Sequence, residues 1–339
     1  MPSNTAAFLV GPGKPLEVKS AEYIAPAEHQ LVIKNSAIAI NPVDWKMQQL
    51  GTKMFPWMAF PHILGSDIAG EVAEIGPGVT RFKAGDRVCG LGQGVPSPVS
   101  QRAASTGGFQ LYTVVNEGLV APIPDTLTFE KAVVTPTGLS TAACGLYLED
   151  FLGLNPPSLS PTPACQTVVI WGGSTGVGIN AIQLAAASGY EVITTASPTR
   201  FDFVKSLGAT YAYDYKSETA VRDIITVLKG KAFVGALAVG QGSLEACYEI
   251  TSQSEGKKFV ASCMPLIEPP NGVQSKKIFG NDIQSEVGSM IWKEFLPLVL
   301  AQGKYTNAPE SEIVGHGLEA VQSALKLQGV SSKKLVVTL

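Results

Sequence analysis

Apolar positions in the first 130 residues fall in short β-branched runs broken by glycine and proline. Examples are Leu31-Val32-Ile33, Gly70-Glu71-Val72-Ala73-Glu74-Ile75-Gly76 and Gly85-Asp86-Arg87-Val88. Runs this short, with turn signals every ~8–12 residues, predict an all-β, barrel-like unit. From about residue 165 the pattern changes. Thr167-Val168-Val169-Ile170-Trp171 reads as a strand, Gly172-Gly173 as a turn, and Val177 to Ala185 as a helix that Gly189 stops. A strand comes at once at 190–195, then a helix around 200–207 and a short strand around 211–215. The alternation continues with a helix near 219–229, a strand at 233–238, a helix near 243–250 and a strand at 258–261. Strand, helix, strand at this spacing specifies βαβ units and a parallel sheet wound on both faces. The tail predicts helices near 289–301 and 317–327 and a terminal strand at 334–338. With no further helix to cover it, that strand is expected to return to the β unit. Ser158 to Pro163 reads as a surface loop, and no internal repeat is visible.

Composition narrows the function classes. The 339 residues carry 25 Lys+Arg against 28 Asp+Glu, a net charge of −3. No block of like charge suggests a nucleic-acid groove or a polybasic anchor. At 45% hydrophobic and 16% charged the chain is not disordered, and its 35 glycines and 23 prolines suit a turn-rich fold rather than a helical bundle. Apolar runs such as Ala6 to Val10 are too short for a membrane span or signal peptide, so a cytoplasmic protein is expected. Five cysteines without a C-x-x-C pair and three scattered histidines argue against a disulfide framework and a structural zinc site. The chemistry is therefore expected to come from an organic cofactor, with no metal.

The turn after the first strand of the alternating region carries that expectation. Against G-x-G-x-x-G it offers Gly173, Thr175 and Gly178, with Ser174, Gly176 and Val177 between them. In this strand-to-helix context, backbone N–H groups at the helix start cradle a pyrophosphate and Gly178 lets the helix approach the strand. The alternatives are an ordinary tight turn or, since Gly172-Gly173-Ser174-Thr175-Gly176 also fits G-x-S-x-G, a nucleophile elbow with Ser174 and His316. The β-rich stretch ahead of the turn speaks against a hydrolase. Ser197, 19 residues after Gly178, stands where an acidic residue would hold the ribose of NAD. A hydroxyl there, followed by Arg200, suits a 2′-phosphate and predicts NADPH; Arg200 as a solvated residue opening its helix is the alternative. Val239, directly after the strand 233–238, is placed in the cofactor set.

The motifs Asn41-Pro42-Val43-Asp44-Trp45-Lys46, Leu64-Gly65-Ser66-Asp67-Ile68-Ala69-Gly70-Glu71-Val72, Gly85-Asp86-Arg87-Val88 and Thr137-Gly138-Leu139-Ser140-Thr141-Ala142 resemble the medium-chain dehydrogenase/reductase superfamily along essentially the whole chain. The resemblance implies an α/β fold: a GroES-like β-barrel catalytic domain, residues 1–130 and 303–339, plus a Rossmann doubly wound parallel sheet, residues 131–302. Zinc-dependent members carry Cys, His-Glu and Cys where this chain has Asp44, Ser66-Asp67 and Thr137. It therefore looks like the zinc-free quinone-oxidoreductase and enoyl-reductase branch. Within that branch, the Asn-Pro-Val-Asp-x-Lys-Met run and Phe279-Gly280-Asn281-Asp282 are most similar to fungal enoyl reductases that act in trans on polyketide synthases. The wider NADPH-dependent group implies that Tyr215 contacts the 2′-phosphate; a half-buried strand-end aromatic is its alternative.

The resemblance implies reduction of an α,β-unsaturated thioester, on a small-molecule or carrier-tethered acyl substrate, with a polyketide synthase as partner and a monomer or homodimer as the working state. Charge on the thioester oxygen must then be met by donors or a cation. Lys46, on a helix started by Asn41 and Pro42, and Thr137, in a ligand's place, are the catalytic candidates, with a solvated helix lysine as the alternative for Lys46. Asn41 is expected to orient the cofactor, with capping as the plainer role. Trp45, Phe55, Trp57 and Phe279 line a substrate channel or simply pack in the core. Quinone or enone reduction, and a non-catalytic NADPH-binding scaffold, are the competing readings.

Overall fold

A computed structural model describes residues 2–95, 106–283, 286–327 and 333–339. The chain forms two compact units, Met1–Thr137 with Trp292–Leu339, and Gly138–Ile291. The first is thus built from both ends of the sequence.

The amino-terminal part of the first unit supplies β1 (Asn4–Leu9), β2 (Leu16–Ala21), β3 (Gln30–Ala39), β4 (His62–Ile63), β5 (Asp67–Ile75), β6 (Arg87–Leu91), β7 (Tyr112–Asn116) and β8 (Val120–Pro122). β1 lies between β2 and β4 in a small sheet. The larger sheet runs from β3 through β5 and β6 to β8, with β7 also paired to β3. All these pairings are antiparallel. β5 is buried on both faces over Asp67–Gly70 and turns outward only afterwards. At Gly70 a side chain would meet the Lys34 carbonyl at 2.0 Å, so glycine is what lets β3 and β5 cross this closely. Asp67 therefore enters the interior on a rigid, covered strand.

The second unit contains β9 (Thr167–Trp171), β10 (Glu191–Ala196), β11 (Tyr211–Asp214), β12 (Phe233–Ala238), β13 (Phe259–Ser262) and β14 (Gln274–Lys277). Every pairing is parallel, in the order β11-β10-β9-β12-β13-β14. Strand order reverses between β9 and β12, the switch point at which such sheets open a ligand crevice. β9 is buried throughout, as a central strand covered on both faces must be. Val169, Trp171, Ile193, Ala236 and Val260 from the strands pack with Ile224, Leu228, Leu244, Cys247 and Ile250 from the helices. β14 escaped sequence reading because Gln274-Ser275-Lys276-Lys277 has no apolar alternation. It is an edge strand, where lysines discourage further pairing.

The tail begins with the π-helical turn Ser289–Phe295, which runs into the helix Leu296–Ala301. β15 (Ser311–His316), another strand the pattern did not announce, is nowhere fully buried. It runs parallel to β16 (Lys334–Thr338), and β16 pairs antiparallel with β3, Val336 opposite Ala39. The terminal strand thus does return to the β unit. Among the described residues, no helix is long and apolar enough to cross a membrane.

Candidate active site

In the second unit the turn after β9 is fixed by its own hydrogen bonds. Gly172 N–H donates to Thr195 Oγ1 at 3.0 Å and Gly173 N–H to the Thr195 carbonyl at 2.8 Å. Thr175 caps the helix Gly176–Ala187: its Oγ1 accepts from Gly178 N–H at 3.0 Å and donates to the Gly172 carbonyl at 2.7 Å. The residue that replaces the middle glycine of the pattern is therefore the helix cap. A Cβ on Gly173 would stand 2.1 Å from Thr194 Oγ1, and one on Gly178 would stand 2.2 Å from the Gly172 carbonyl oxygen. Those contacts leave room for a hydrogen atom only. Gly176 and Val177 open the helix, so their N–H groups have no carbonyl one turn earlier and are available to an anion.

The other expected cofactor residues lie on the same rim. Ala196 and Asp214 are in register, so Ser197 and Tyr215 come directly after adjacent strand ends. Arg200 is exposed, with its guanidinium 5.8 Å over the Phe203 ring. Tyr215 is 45% exposed and carries the Lys216 ammonium 5.8 Å over its ring. Lys216 adds a positive charge that the motif reading left unused. Val239 N–H donates to the Trp171 carbonyl at 3.2 Å. Gly173 to Gly178, Ser197, Tyr215 and Val239 thus gather at the carboxyl ends of four neighbouring parallel strands. Arg200 sits just beyond, on the turn after Ser197. The donors, the hydrogen-sized gaps and the cationic rim fit a dinucleotide. His316, needed by the hydrolase alternative, bonds Thr338 Oγ1 in the first unit.

The first unit holds the remaining expected residues. Asn41 caps the helix Pro42–Leu50, with Pro42 in its first turn. Asp44 Oδ2 accepts from Asn41 N–H at 2.8 Å, the return arm of a capping box. Asp44, Met47 and Gln48 face inward, while Trp45 and Lys46 are exposed. No hydrogen bond or ion pair engages the Lys46 ammonium among the described residues. The Asn41 side chain is turned to the interior, where Nδ2 donates to Asp67 Oδ2 at 2.9 Å and reaches Thr137 Oγ1 at 3.4 Å. Thr137 N–H donates to Asp67 Oδ1 at 2.6 Å. Lys334, at the head of β16, completes the cluster with its Nζ 2.7 Å from Asp67 Oδ2 and a hydrogen bond to Asn41 Oδ1. Burial pushes the Asp44 carboxyl up to about 7; the nearby Asp67 carboxylate adds to this, against lowering by the Asn41 N–H and Lys334.

Lys334 was invisible to sequence reading. Two buried carboxylates without metal ligands beside them call for a cation, but only the register of β16 on β3 shows which lysine answers. The donor set does not fit a zinc ion. Asp67 is already engaged by an ammonium and two N–H donors, and no group of three His, Cys, Asp or Glu side chains is placed to hold a metal among the described residues. Asp44 and Asp67 are held instead by local hydrogen bonds and, for Asp67, by the ion pair with Lys334. Of the four aromatics, Phe55 is core at 4% exposure, whereas Trp45, Trp57 and Phe279 are exposed.

Comparison with known proteins agrees with both units. Residues 27–125 match the alcohol dehydrogenase GroES-like domain family, and residues 176–297 match the zinc-binding dehydrogenase family. A dehydrogenase of Aspergillus niger, orf1, is 48% identical and aligned over 100% of both chains. The trans-enoyl reductase himH of Aspergillus japonicus is 39% identical over 91% of this chain and 90% of its own. The crystal structure of an alcohol dehydrogenase superfamily protein from Novosphingobium aromaticivorans superposes with a TM-score of 0.79 at 25% identity, over 99% of each chain. The chain belongs to the medium-chain dehydrogenase/reductase superfamily.

Proposed function

We propose that the protein is a zinc-independent, NADPH-dependent reductase of an activated C=C bond, acting as a stand-alone trans enoyl reductase on an α,β-unsaturated thioester. The observation that carries this reading is the cluster around Thr137. Thr137 is partly exposed; its hydroxyl accepts from Asn41 and its backbone N–H donates to Asp67, whose charge is met by an ammonium, which suits stabilisation of a developing oxyanion by donors instead of a Lewis acid. The likeness to a protein named a trans-enoyl reductase supports the choice of reaction.

Bound NADPH supplies the hydride that goes to the β-carbon. The glycine turn and the N–H groups of Gly176 and Val177 hold the pyrophosphate; Ser197, Arg200 and Tyr215 supply donors and positive charge for the 2′-phosphate. The Thr137 hydroxyl donates to the oxygen on which charge develops, and Asn41 orients it. Lys46, an exposed ammonium on the helix that Asn41 starts, polarises the carbonyl or delivers the α-carbon proton, directly or through water. The acyl substrate arrives as a free thioester or tethered to the carrier protein of a polyketide synthase, in the cytoplasm.

NADPH oxidation measured against a short enoyl thioester, a quinone and an enone tests the reading. The thioester is expected to give the highest kcat/KM, with NADPH strongly preferred over NADH. A quinone or enone preference assigns the protein to the other zinc-free reductases. Tight NADPH binding without turnover of any of the three, nor of a carrier-tethered enoyl chain, assigns it to a binding role. Equal kcat/KM with NADH removes the assignment of Ser197, Arg200 and Tyr215.

A further inference from the structure

Lys334 is the least expected member of the cluster. Its side chain is only 13% exposed, and ammonium groups are seldom buried this far without a compensating charge. The backbone delivers it there: Ile40 N–H donates to the Leu335 carbonyl at 2.9 Å, and Ala39 is opposite both Val336 on β16 and Asp67 on β5. Lys334 and Asp67 therefore approach Asn41 from the strands on either side of β3. Around them, Asp44 and Asp67 are fully buried; Asp44 Oδ1 and Ser66 Oγ have no hydrogen-bond partner among the described residues.

The hydrogen bonds have a direction that matters for Thr137. The Asn41 side-chain oxygen accepts from Lys334 while Nδ2 donates to Asp67 and reaches Thr137, so the ammonium on one side and the carboxylate on the other fix the amide together. Thr137 Oγ1 is then an acceptor within the cluster, so its own proton is left for an acceptor outside. Remove the ammonium, and the Asn41 side-chain oxygen loses its partner, so the amide that positions the Thr137 hydroxyl is held only through Nδ2 on Asp67. Asp67 would meanwhile be a buried carboxylate without a counter-ion, a state strongly disfavoured in an interior.

We propose that Lys334 is a positioning residue: it is the resident cation of the buried Asp44–Asp67 pair and, through Asn41 and Asp67, keeps the Thr137 hydroxyl proton available to the reacting oxygen. The catalytic half of this rests on the reductase reading above; the resident-cation half does not. An ammonium fixed to the chain needs no uptake and leaves no affinity to be lost to a chelator.

The test uses Lys334→Ala in the full chain, with methylammonium or ethylammonium as small cations that can refill the space. Thermal unfolding decides the resident-cation half without any turnover. The variant is expected to gain stability from the primary ammonium ions beyond an equal concentration of sodium, while the wild type does not. No ion-specific gain overturns that half. Kinetics decides the other half: kcat is expected to fall at least ~tenfold with NADPH affinity unchanged, and to recover as ethylammonium is added. Lys46→Ala should show no such recovery. A Lys334→Ala enzyme of wild-type kcat, or one that is folded and inactive at every ammonium concentration, overturns the positioning role. Should Lys334→Ala not fold, the neutral pair Asp67→Asn with Lys334→Met replaces it in the kinetic arm. It is expected to bind NADPH with kcat at least ~tenfold lower, and wild-type kcat in that pair overturns the proposal. A wild type inactive on every unsaturated carbonyl would sink the reductase reading while the thermal experiment still judged the cation.

Discussion

The glycine turn of the nucleotide unit and the polar cluster of the β unit hold their candidate residues by opposite means. The turn is defined by backbone. Its shape depends on the absence of side chains at Gly173 and Gly178, where a Cβ would stand 2.1 Å and 2.2 Å from its neighbours, and its donors are main-chain N–H groups. The cluster is defined by side chains: Asn41 with Asp44, Asp67, Thr137 and Lys334 come from four separate parts of the sequence and are joined by hydrogen bonds and one ion pair. A backbone device should fail all at once, whereas a side-chain network should lose function in steps.

The largest effect is therefore expected at the turn. Gly178→Val places a branched side chain against the Gly172 carbonyl, and either NADPH binding falls at least ~100-fold or the domain does not fold, since overpacking of backbone against backbone has no rotamer escape. Fluorescence titration with NADPH and thermal unfolding read the two outcomes. A Gly178→Val protein that binds NADPH normally would break the contrast. Next comes Thr137→Val, which keeps the size of the side chain and removes its hydroxyl. Losing one preorganised donor is expected to lower kcat ~100-fold with NADPH affinity unchanged, as steady-state kinetics would show.

Lys46→Ala is graded lower, because its ammonium is exposed and unsupported by the cluster. A loss of ~tenfold in kcat/KM, about 1.4 kcal/mol, is expected, again with cofactor binding retained. Unchanged turnover would remove Lys46 from the mechanism. The smallest effect is on stability. Burial raises the Asp44 carboxyl from 3.8 to about 7, so between those values the folded protein holds a proton that the unfolded chain releases. Stability from this group is present at low pH and declines as pH rises from about 4 to about 7. Asp44→Asn should flatten that part of the curve of Tm against pH, leaving the variant relatively more stable at pH 8 than at pH 4.

The same contrast explains what could be read from the sequence. Periodicity announced β9 to β13 with their helices, since β9, β10, β12 and β13 are buried, largely apolar runs set between helical patterns, and local spacing placed Gly173, Thr175 and Gly178 on a strand-to-helix turn. β14 and β15 carry no such signal: one is a polar edge strand and the other is half exposed along its length. In the cluster, the residue types at 41, 44, 67 and 137 were recognisable by resemblance. Lys334 was not, because a lysine beginning a terminal strand looks like an ordinary solvated end. Its meaning comes from register across β16, β3 and β5, a tertiary fact absent from any local window.

The most direct measurement is hydride tracing in chelator-treated enzyme. NADPH carrying deuterium at both C4 positions is turned over with a short enoyl thioester, and the saturated product is examined by mass spectrometry. One deuterium at the β-carbon, at a rate undiminished by the chelator, is the predicted result. A product without label there, or a rate restored only by added zinc, would contradict the account.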